Sequence, residues 1–357
     1  MNLVKKEWLF FIFLALFFPL YFLTKPTLNE IINSIDFATI RALIALMLIT
    51  TAMKLSNLFE YFAIKIVNKI KTELQLAYLF IFLAIFLSMF LTNDITLFIV
   101  VPLTLSIASI LKKDLTKLII FEAIAVNVGS ALTPFGNPQN LFLFRQMNIS
   151  VIDFIREMKY LFLIELSVLF IFLSTIFKPK TINVSLNKKI NVDKFLFVIS
   201  IILFIVFIIA LEKGMVRYAL ILIVLVFLFK KEIFLKFDYF LIFTFILMFV
   251  DFHLLTKLQF IQTLFQGIEF NFKNTFNLTL LLSQIFSNVP ATIFLSHFSN
   301  NYIAIAYGAN LGGNGLIIAS FANIIALRFI NKGYLKFHKY SIIFLLISYL
   351  LISVIFI

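Results

Sequence analysis

The chain of 357 residues has no cysteine and few charged side chains. The absence of cysteine excludes disulfides, thiolate metal sites and a thiol nucleophile. Charged residues make up 13% of the chain and hydrophobic residues 62%, whereas soluble domains carry about 25% charged residues. The mean hydropathy is +1.09. These values exclude a water-soluble protein and indicate that lipid surrounds most of the chain.

The formal net charge is +13, from 30 Lys and Arg against 17 Asp and Glu. In a soluble protein this excess would indicate a polyanionic partner. Here the basic residues lie in short segments between apolar runs, where they set the orientation of a chain in the bilayer. Nucleic acid is therefore excluded as a partner, and the lipid bilayer is expected.

Apolar runs follow one another along almost the whole chain. At about 20 apolar residues per crossing, their supply is enough for roughly eleven spanning helices. The run from Trp8 to Leu23 resembles a secretory signal, but Lys25 and Pro26 follow where a cleavage site would need small residues, so an uncleaved first helix is expected. Further helices are expected at about 38–53, 74–91, 95–111, 118–147, 160–177, 195–211, 216–229, 237–255, 274–299, 303–330 and 340–357.

The most polar interruption, residues 178–194, is predicted to be a linker between a first repeat, 1–177, and a second, 195–357. If 74–111 and 274–299 each return to the side they came from, 21 Lys and Arg lie on the side of the N-terminus and nine on the other. The positive-inside rule then places the N-terminus and linker in the cytoplasm and the C-terminus outside. Residues 54–73, with four lysines, are expected to lie along the inner interface as an amphipathic helix.

Two polar segments interrupt the apolar runs and match in spacing. AVNVGSALTPFGNPQN, residues 125–140, overlays on GANLGGNGLIIASFAN, residues 308–323. The overlay pairs Asn127 with Asn310, Gly129 with Gly312, and Asn140 with Asn323. Each segment follows a hairpin with a polar tip, and the charge count makes the first hairpin open inward and the second outward. The halves are thus predicted to be inverted-topology repeats, a common plan of secondary transporters.

The two segments are predicted to be broken helices, 118–147 and 303–330, that unwind near the middle of the bilayer. Pro134 and Pro138 lack backbone donors, and the glycines at 129, 136, 312, 313 and 315 permit unhelical torsions. Unpaired backbone groups are tolerated at that depth only around a cavity or an ion. Amide, hydroxyl and carbonyl oxygens are ligands for Na⁺, and helix N-termini attract anions. The expected substrate and ion site comprises Thr92, Asn93, Asp94, Asn127, Gly129, Thr133, Gly136, Asn137, Asn140, Ser287, Asn288, Asn310, Gly312, Gly313 and Asn314. Within this set, the expected Na⁺ ligands are Asn93, Gly136, Asn288 and Asn310.

Other interpretations of these residues stay open at this point. Small polar residues also hold helices together in membranes without binding a ligand. A carboxylate such as Asp94 is costly at mid-membrane and normally carries a proton or a cation there, but it is an ordinary exposed acid if it lies on an outer loop. The limbs of the hairpin 74–111, at about 18 and 17 residues, are long enough to span, so this hairpin either re-enters or crosses.

The remaining ionisable residues are weaker candidates. Glu122, Glu165 and Asp251 lie where helix ends and interfaces commonly collect acids, and His297 and His338 have no acidic partner at ligand spacing. No HExxH, P-loop or Gly-x-Ser-x-Gly motif is present. The sequence therefore predicts neither a metal centre nor a bound cofactor, and no enzyme.

Four segments, in their order along the chain, resemble segments of the ion transporter superfamily. The resemblance is greatest to its citrate transporter-like and arsenite-permease-like membrane proteins. They are SMFLTNDITLFIVVPLT (88–104), NVGSALTPFGNPQNL (127–141), SQIFSNVPATIFL (283–295) and GANLGGNGLIIASFANIIA (308–326). The resemblance implies two inverted repeats, each with a re-entrant hairpin and a broken helix, a homodimer, and secondary transport of an anion coupled to Na⁺ or H⁺.

The hairpin tips depart from one branch of that superfamily. Sodium-dicarboxylate transporters carry Ser-Asn-Thr at both tips, whereas here Asp94 and Val289 replace the threonines. Asp94 resembles instead the acidic tip of the sodium-proton antiporter and arsenite branches.

The chain is thus predicted to be an all-α polytopic membrane protein with about nine crossings and two hairpins. Its expected function is secondary active transport of a small anion, an organic carboxylate or an inorganic oxyanion, across the cell membrane by alternating access. The alternative is a Na⁺/H⁺ antiporter that uses Asp94. A passive channel and a membrane enzyme are the less favoured classes.

Overall fold

The computed structural model describes residues 7–182 and 189–356. Within them the chain forms 19 α-helices and one short 3-10 helix and no β-strand, so the predicted all-helical fold is confirmed. The first half contains α1 (Trp8–Thr24), α2 (Leu28–Ser34), α3 (Phe37–Leu55), α4 (Leu58–Val67), α5 (Glu73–Ser88), α6 (Asn93–Leu111), α7 (Thr116–Ser130), α8 (Pro138–Met147) and α9 (Val151–Ile176). The residues 1–6, 183–188 and 357 of the predicted repeats and linker lie outside the described residues.

The second half contains α10 (Lys194–Glu212), α11 (Val216–Phe227), α12 (Lys231–Leu235), α13 (Tyr239–Thr256), α14 (Gln259–Phe265), α15 (Phe272–Phe286), α16 (Asn288–Leu295), α17 (Tyr302–Gly312), the 3-10 turn Ile317–Ala319, α18 (Phe321–Ile330) and α19 (Tyr334–Phe356).

Six helices in the described ranges are long and apolar enough to cross a membrane. They are α3, α6, α9, α10, α13 and α19. The apolar helices α1, α5, α11 and α18 are shorter, at 17, 16, 12 and 10 residues. A multi-pass membrane protein is therefore confirmed, whereas the count of about nine crossings stays a prediction.

The two helix pairs expected as hairpins are present. α5 and α6 are joined by a short tip before Asn93, and at their other ends Lys113 Nζ lies 3.8 Å from Glu73 Oε2. α15 and α16 are joined by Ser287 alone, which has the positive φ of 80°. Such a φ is strained for a residue with a side chain. Both pairs therefore turn back sharply at a polar tip.

The two helices expected to be broken are interrupted at 131–137 and at 313–320. In the first break the Asn137 side chain accepts the backbone N–H of Asn140 at 2.8 Å, and Pro138 takes the first helical position, where a missing N–H costs nothing. Each hairpin packs along the helix that leads into its break, α5 along α7 and α15 along α17. α18 of the second half also packs on α7 of the first. The two tips and the two breaks are thereby gathered in one region.

Candidate functional site

The first hairpin tip is hydrogen-bonded to the first break. The backbone N–H of Asn93 donates to the carbonyl of Gly136 at 3.0 Å, and the Thr133 hydroxyl donates to the carbonyl of Met89 at 2.5 Å. The Asn93 side chain accepts the backbone N–H of Asp94 at 3.0 Å. Asn93 and Thr92 are buried. The N-termini of α6 and α8 are therefore held side by side.

The second tip meets the second break in a corresponding way. The Ser287 hydroxyl donates to the carbonyl of Ala319 at 3.3 Å, and the Asn288 side chain accepts the backbone N–H of Val289 at 3.0 Å. Asn288 also lies against Gly313, since a Cβ on that glycine would be 2.9 Å from Asn288 Nδ2. The N-termini of α16 and α18 are thus adjacent as well.

Two asparagines join the halves of the chain. Asn127 Nδ2 donates to Asn323 Oδ1 at 3.0 Å and to the carbonyl of Gly313 at 3.1 Å. Asn310 Nδ2 donates to Asn140 Oδ1 at 2.7 Å, and its Oδ1 accepts from Asn137 Nδ2 at 2.9 Å. All five side-chain amides are buried. Because every amide is paired, the network is a fully satisfied polar core, which is the condition for such a core to be stable in lipid.

The hydrogen bonds across the network come in equivalent pairs under the sequence overlay. The hydrogen bond from Asn127 to Asn323 corresponds to the one from Asn310 to Asn140, because each runs from the helix before one break to the helix after the other break. Ser320 Oγ donates to Asn127 Oδ1 at 3.0 Å, as Asn137, its counterpart, donates to Asn310. Asn140 Nδ2 donates to the carbonyls of Ser130 and Thr133, and Asn323 Nδ2 donates to those of Gly313 and Leu316, which occupy the matching positions.

The glycines Gly129 and Gly312 do not unwind, contrary to the expectation from sequence. Gly129 lies inside α7 and Gly312 is the last residue of α17. Both serve close helix packing instead, because a Cβ on Gly129 would overlap Ser88 and Ile85, and one on Gly312 would lie 2.8 Å from Ser283 Cβ. The unwound backbone begins one residue or more after them, and Gly315 alone of the five glycines has a positive φ.

One residue at the second break escaped the sequence interpretation. Gln284 Nε2 donates to the carbonyls of Gly312 and Asn314 at 2.7 and 3.1 Å, and its Oε1 accepts the backbone N–H of Leu316 at 2.9 Å. Its position four residues before the tip Asn288 was the only available signal. Gln284 fixes the unwound segment to α15.

Four acids carry buried oxygens without a hydrogen-bond partner in the described part of the chain. Asp94, in the first turn of α6, has one such oxygen. Glu122 pairs with the Thr104 hydroxyl through its other oxygen, and Glu165 accepts from Asn314 Nδ2 at 3.3 Å. Both oxygens of Asp251 are unpartnered. Two of the acids thus lie in the site region, Asp94 at the first tip and Glu165 against the second break.

An ion pair lies beside the far end of α8. Arg145 Nη1 is 2.9 Å from Asp36 Oδ1, which also caps α3. Burial raises the pKa of Asp36, but hydrogen bonds from Thr39 and the charge of Arg145 outweigh it and hold the pKa below its ordinary value. A polar cavity of about 240 Å³ lined by Asp36, Gln146 and His297 adjoins the pair. This end of the broken helix is therefore polar.

The predicted site residues are brought together, with distinct surroundings. The four helices α6, α8, α16 and α18 begin at the two tips and two breaks. The amide network links α8 and α18, and the hydrogen bonds from the tips tie α6 and α16 to the breaks. Asp94 stands at the first tip with an unpartnered oxygen, while the side chain of Asn314 faces Glu165 in α9. The region thus presents four helix N-termini, which carry partial positive charge, among neutral amides and hydroxyls.

Comparison with known proteins connects this arrangement to transporters. Residues 4–301 match the family described as Citrate transporter. An uncharacterized transporter of Methanocaldococcus jannaschii is 36% identical over 326 residues, which cover 90% of this chain and 89% of that protein. The inner membrane protein YbiR of Escherichia coli is 37% identical over 318 residues, 88% of this chain and 86% of its own. The P protein of Mus musculus is 26% identical over 120 residues, 33% of this chain and 14% of its own.

Proposed function

The chain belongs to the citrate transporter family, and from this premise we propose that it is a secondary active transporter of a small anion. The substrate is an organic carboxylate or an inorganic oxyanion, moved across the cell membrane by alternating access and coupled to Na⁺ or H⁺. The observation that carries the proposal is the convergence of four helix N-termini at two hairpin tips and two helix breaks, which hydrogen bonds and a buried amide network hold together. The proposal includes that the protein transports its substrate unchanged and is not an enzyme.

The electrostatics of the network favour an anion. A helix N-terminus carries about half a positive charge and unpaired N–H groups, so four together attract negative charge without any Lys or Arg. Asn93 and Asn288 stand at the start of α6 and α16, and Asn137 and Ser320 precede α8 and α18. These positions supply the anion contacts in the proposal.

A cation fits beside such an anion. Asn93, Asn288 and Asn310 offer side-chain oxygens, and Gly136 a carbonyl, which are hard ligands of the kind Na⁺ takes. Because the bound cation would offset the charge of the anion, binding of each would strengthen binding of the other. Na⁺ at these four residues is the proposed form of sodium coupling.

The paired hydrogen bonds support two inverted repeats, 1–177 and 195–357. The hydrogen bond from the first tip to Gly136 also supports a re-entrant hairpin at 74–111. After Gly136 the chain continues through α8 for about 15 Å of helix, so the tip would end within the membrane and not at its surface. We propose a cytoplasmic N-terminus and linker, an external C-terminus and a homodimer. Reporter fusions at residues 178 and 356 test the orientation, and cross-linking in membranes tests the dimer.

Asp94 supports the alternative, a Na⁺/H⁺ antiporter. Its buried, unpartnered oxygen stands at the first tip, where a proton or Na⁺ would satisfy it. In that case no anion binds, and Asp94→Asn abolishes cation exchange.

Thermal stability in detergent separates the two functions. Citrate, succinate, phosphate and sulfate are each added to the purified protein with and without Na⁺, since a ligand of the native state raises its melting temperature. Symport predicts an upshift with one anion that requires Na⁺ or low pH. Antiport predicts an upshift with Na⁺ alone that low pH removes.

Two substitutions test the site itself. Asn93→Ala and Asn310→Ala should abolish both the upshift and uptake into proteoliposomes, because the first removes the side-chain amide at the first tip and the second removes one from the network. Asn191→Ala, an exposed position, is the matched control. Near-normal uptake by both site variants would contradict the proposal, as would uptake that never exceeds equilibrium, the behaviour of a channel.

A further inference from the structure

Glu165 is a buried acid in the middle of α9 that touches the second break. It is fully buried, and its Oε1 accepts a hydrogen bond from Asn314 Nδ2 at 3.3 Å. Its Oε2 is buried and has no partner among the described residues. Asn314 is equally buried and belongs to the unwound segment between α17 and the 3-10 turn. The carboxyl group is therefore in direct contact with the segment that forms the candidate site.

This contact has more acceptors than donors. Besides Glu165 Oε2, Asn314 Oδ1 is buried without a partner. The backbone carbonyl of Asn314 already accepts from Gln284, and that of Gly313 accepts from Asn127 and Asn323. A buried acceptor without a donor destabilises the folded state, and an isolated buried charge destabilises it more. One additional hydrogen on the carboxyl group supplies the missing donor and removes the charge.

The neighbouring helices supply no counter-charge to Glu165 within the described residues. α9 packs against α5, α7, α17 and α19. In the interior of these four helices, each titratable side chain contacts a group other than Glu165. Glu122 bonds to Thr104, and Tyr307 bonds to the carbonyl of Glu157. Three tyrosines pack against phenylalanine rings: Tyr78, Tyr340 and Tyr349. Glu73, Lys117, Tyr302, Tyr334, Lys336, His338 and Lys339 lie in the first turns of their helices. On α9 itself, Asp153, Arg156, Glu157, Lys159 and Tyr160 lie in the first ten residues.

We propose that Glu165 binds the coupling proton of the transport cycle, with Asn314 as the partner through which its protonation reaches the second broken helix. This inference rests on the proposed function and names its driving ion. The carboxylate takes up one proton on one side of the membrane and releases the same proton on the other, with no covalent step. An amide is suited to this task, because its NH₂ donates to a carboxylate and its oxygen accepts from a carboxylic acid.

A proton fits this position better than Na⁺. Na⁺ takes several oxygen ligands at once, whereas this contact offers two unpartnered oxygens. A proton needs only one acceptor and one donor. Glu165 would thus act apart from the proposed Na⁺ ligands at the hairpin tips.

Proteoliposomes that contain a pH-sensitive dye test the proposal. Labelled citrate, succinate, phosphate or sulfate is added outside, without Na⁺, at an inward proton gradient of about one pH unit, which concentrates an anion coupled to one proton about tenfold. The wild type should accumulate its anion and acidify the lumen. Glu165→Gln should lose both effects of the gradient yet retain anion–anion exchange at equal pH, because exchange needs no net proton movement.

Glu122→Gln is the matched control, since Glu122 is also a fully buried carboxyl with one unpartnered oxygen but bonds to Thr104 on α6. It should keep gradient-driven accumulation. Equal loss in both variants, or full accumulation by Glu165→Gln, would overturn the proposal. Accumulation by the wild type that needs Na⁺ and moves no protons would also overturn the proposal, although the proposed function of anion transport would still hold. If Glu165→Gln does not elute as a folded protein, Glu165→Asp replaces it and should retain part of the proton-driven accumulation.

Infrared spectroscopy of the purified protein gives a readout that needs no substrate. A carboxylic acid band that responds to pH and is present in the wild type and in Glu122→Gln, but absent in Glu165→Gln, supports a proton on Glu165. Absence of any such difference overturns the proposal. If no anion is taken up by the wild type, the proposed function fails, and this band still decides whether Glu165 binds a proton.

Discussion

The close packing of Gly129 and Gly312 gives a prediction with an internal rescue test. Each glycine faces the hairpin helix of its own half at matching positions, Gly129 at Ile85 and Ser88, and Gly312 at Ser283. Replacement of either by alanine should destabilise the protein, although alanine in a helix is otherwise favoured over glycine by about 1 kcal/mol. The reason is that the added methyl group has no room.

The two positions should differ in magnitude. A Cβ at Gly129 would overlap the Ser88 hydroxyl and the Ile85 carbonyl and lie 2.7 Å from Ile85 Cα, so backbone must move. At Gly312 the nearest atoms are Ser283 Cβ at 2.8 Å and Ser283 Oγ at 3.0 Å, and the backbone atom Leu280 Cα is 3.3 Å away. Overpacking costs typically about 1 to 3 kcal/mol, and we expect Gly312→Ala near the lower end and Gly129→Ala at or above the upper end.

Second substitutions on the hairpin helices test the cause. Ser283→Gly removes the two nearest atoms that Gly312→Ala would meet, so the double variant should be more stable than the sum of the single effects by about 1 kcal/mol or more. Ser88→Gly should not rescue Gly129→Ala, because the Ile85 backbone stays in place. Thermal unfolding in one detergent, with each single and double variant, measures both cycles. Wild-type stability of Gly129→Ala, or equal rescue in both halves, would refute the reasoning.

Three further predictions concern the second tip, the second break and the end of α8. Ser287→Gly should relieve the backbone strain at φ 80° and therefore match or exceed the thermal stability of the wild type. Its uptake should fall, because the hydroxyl that bonds to the carbonyl of Ala319 is lost, and unchanged uptake would contradict this prediction. Gln284→Met should lower stability by about 2 kcal/mol, because three backbone groups at the second break lose their partner, and a stability equal to wild type would be the opposing result. The pKa of Asp36 in the folded protein lies below its ordinary value of about 4, so the stability that its carboxylate contributes should be complete above pH 4 and be lost as pH falls through the lowered pKa. The melting temperature of Asp36→Asn should lack this loss at acid pH. Parallel pH profiles of the melting temperature in the variant and the wild type would contradict the prediction.

The broken helices could be predicted from sequence because local chemistry decides them. Pro138 cannot continue a helix from the preceding turn, and Asn137 is a preferred cap, so a helix had to begin there. The apolar runs also fixed most helices to within a few residues. Gly136, Gly313 and Gly315 lie in the breaks as predicted, whereas the prediction was wrong for Gly129 and Gly312. A glycine permits both unwinding and close packing, and only the neighbouring helix decides between them.

Contacts between distant residues were beyond the sequence. Glu165 and Asn314 are 149 positions apart, and nothing in the run around Glu165 distinguishes it from an acid at a helix end. The overlay paired Asn127 with Asn310, but it gave no indication that each bonds to the other half rather than to its own. Such pairings depend on how α7, α8, α17 and α18 cross, which periodicity does not encode.

The two halves keep the same contact even where their residues differ. Aligning the tip residues Asn93 and Asn288 pairs Met89 with Gln284, and the overlay of the two breaks pairs Thr133 with Leu316. In the first half the Thr133 hydroxyl donates to the Met89 carbonyl, and in the second the Leu316 backbone N–H donates to the Gln284 side chain. The donor is a side chain and the acceptor a backbone group in the first half, and the reverse holds in the second. In both halves the hydrogen bond joins the hairpin to its break. Identity between the halves therefore understates their correspondence, and residues that differ between them are as informative about the site as those that match.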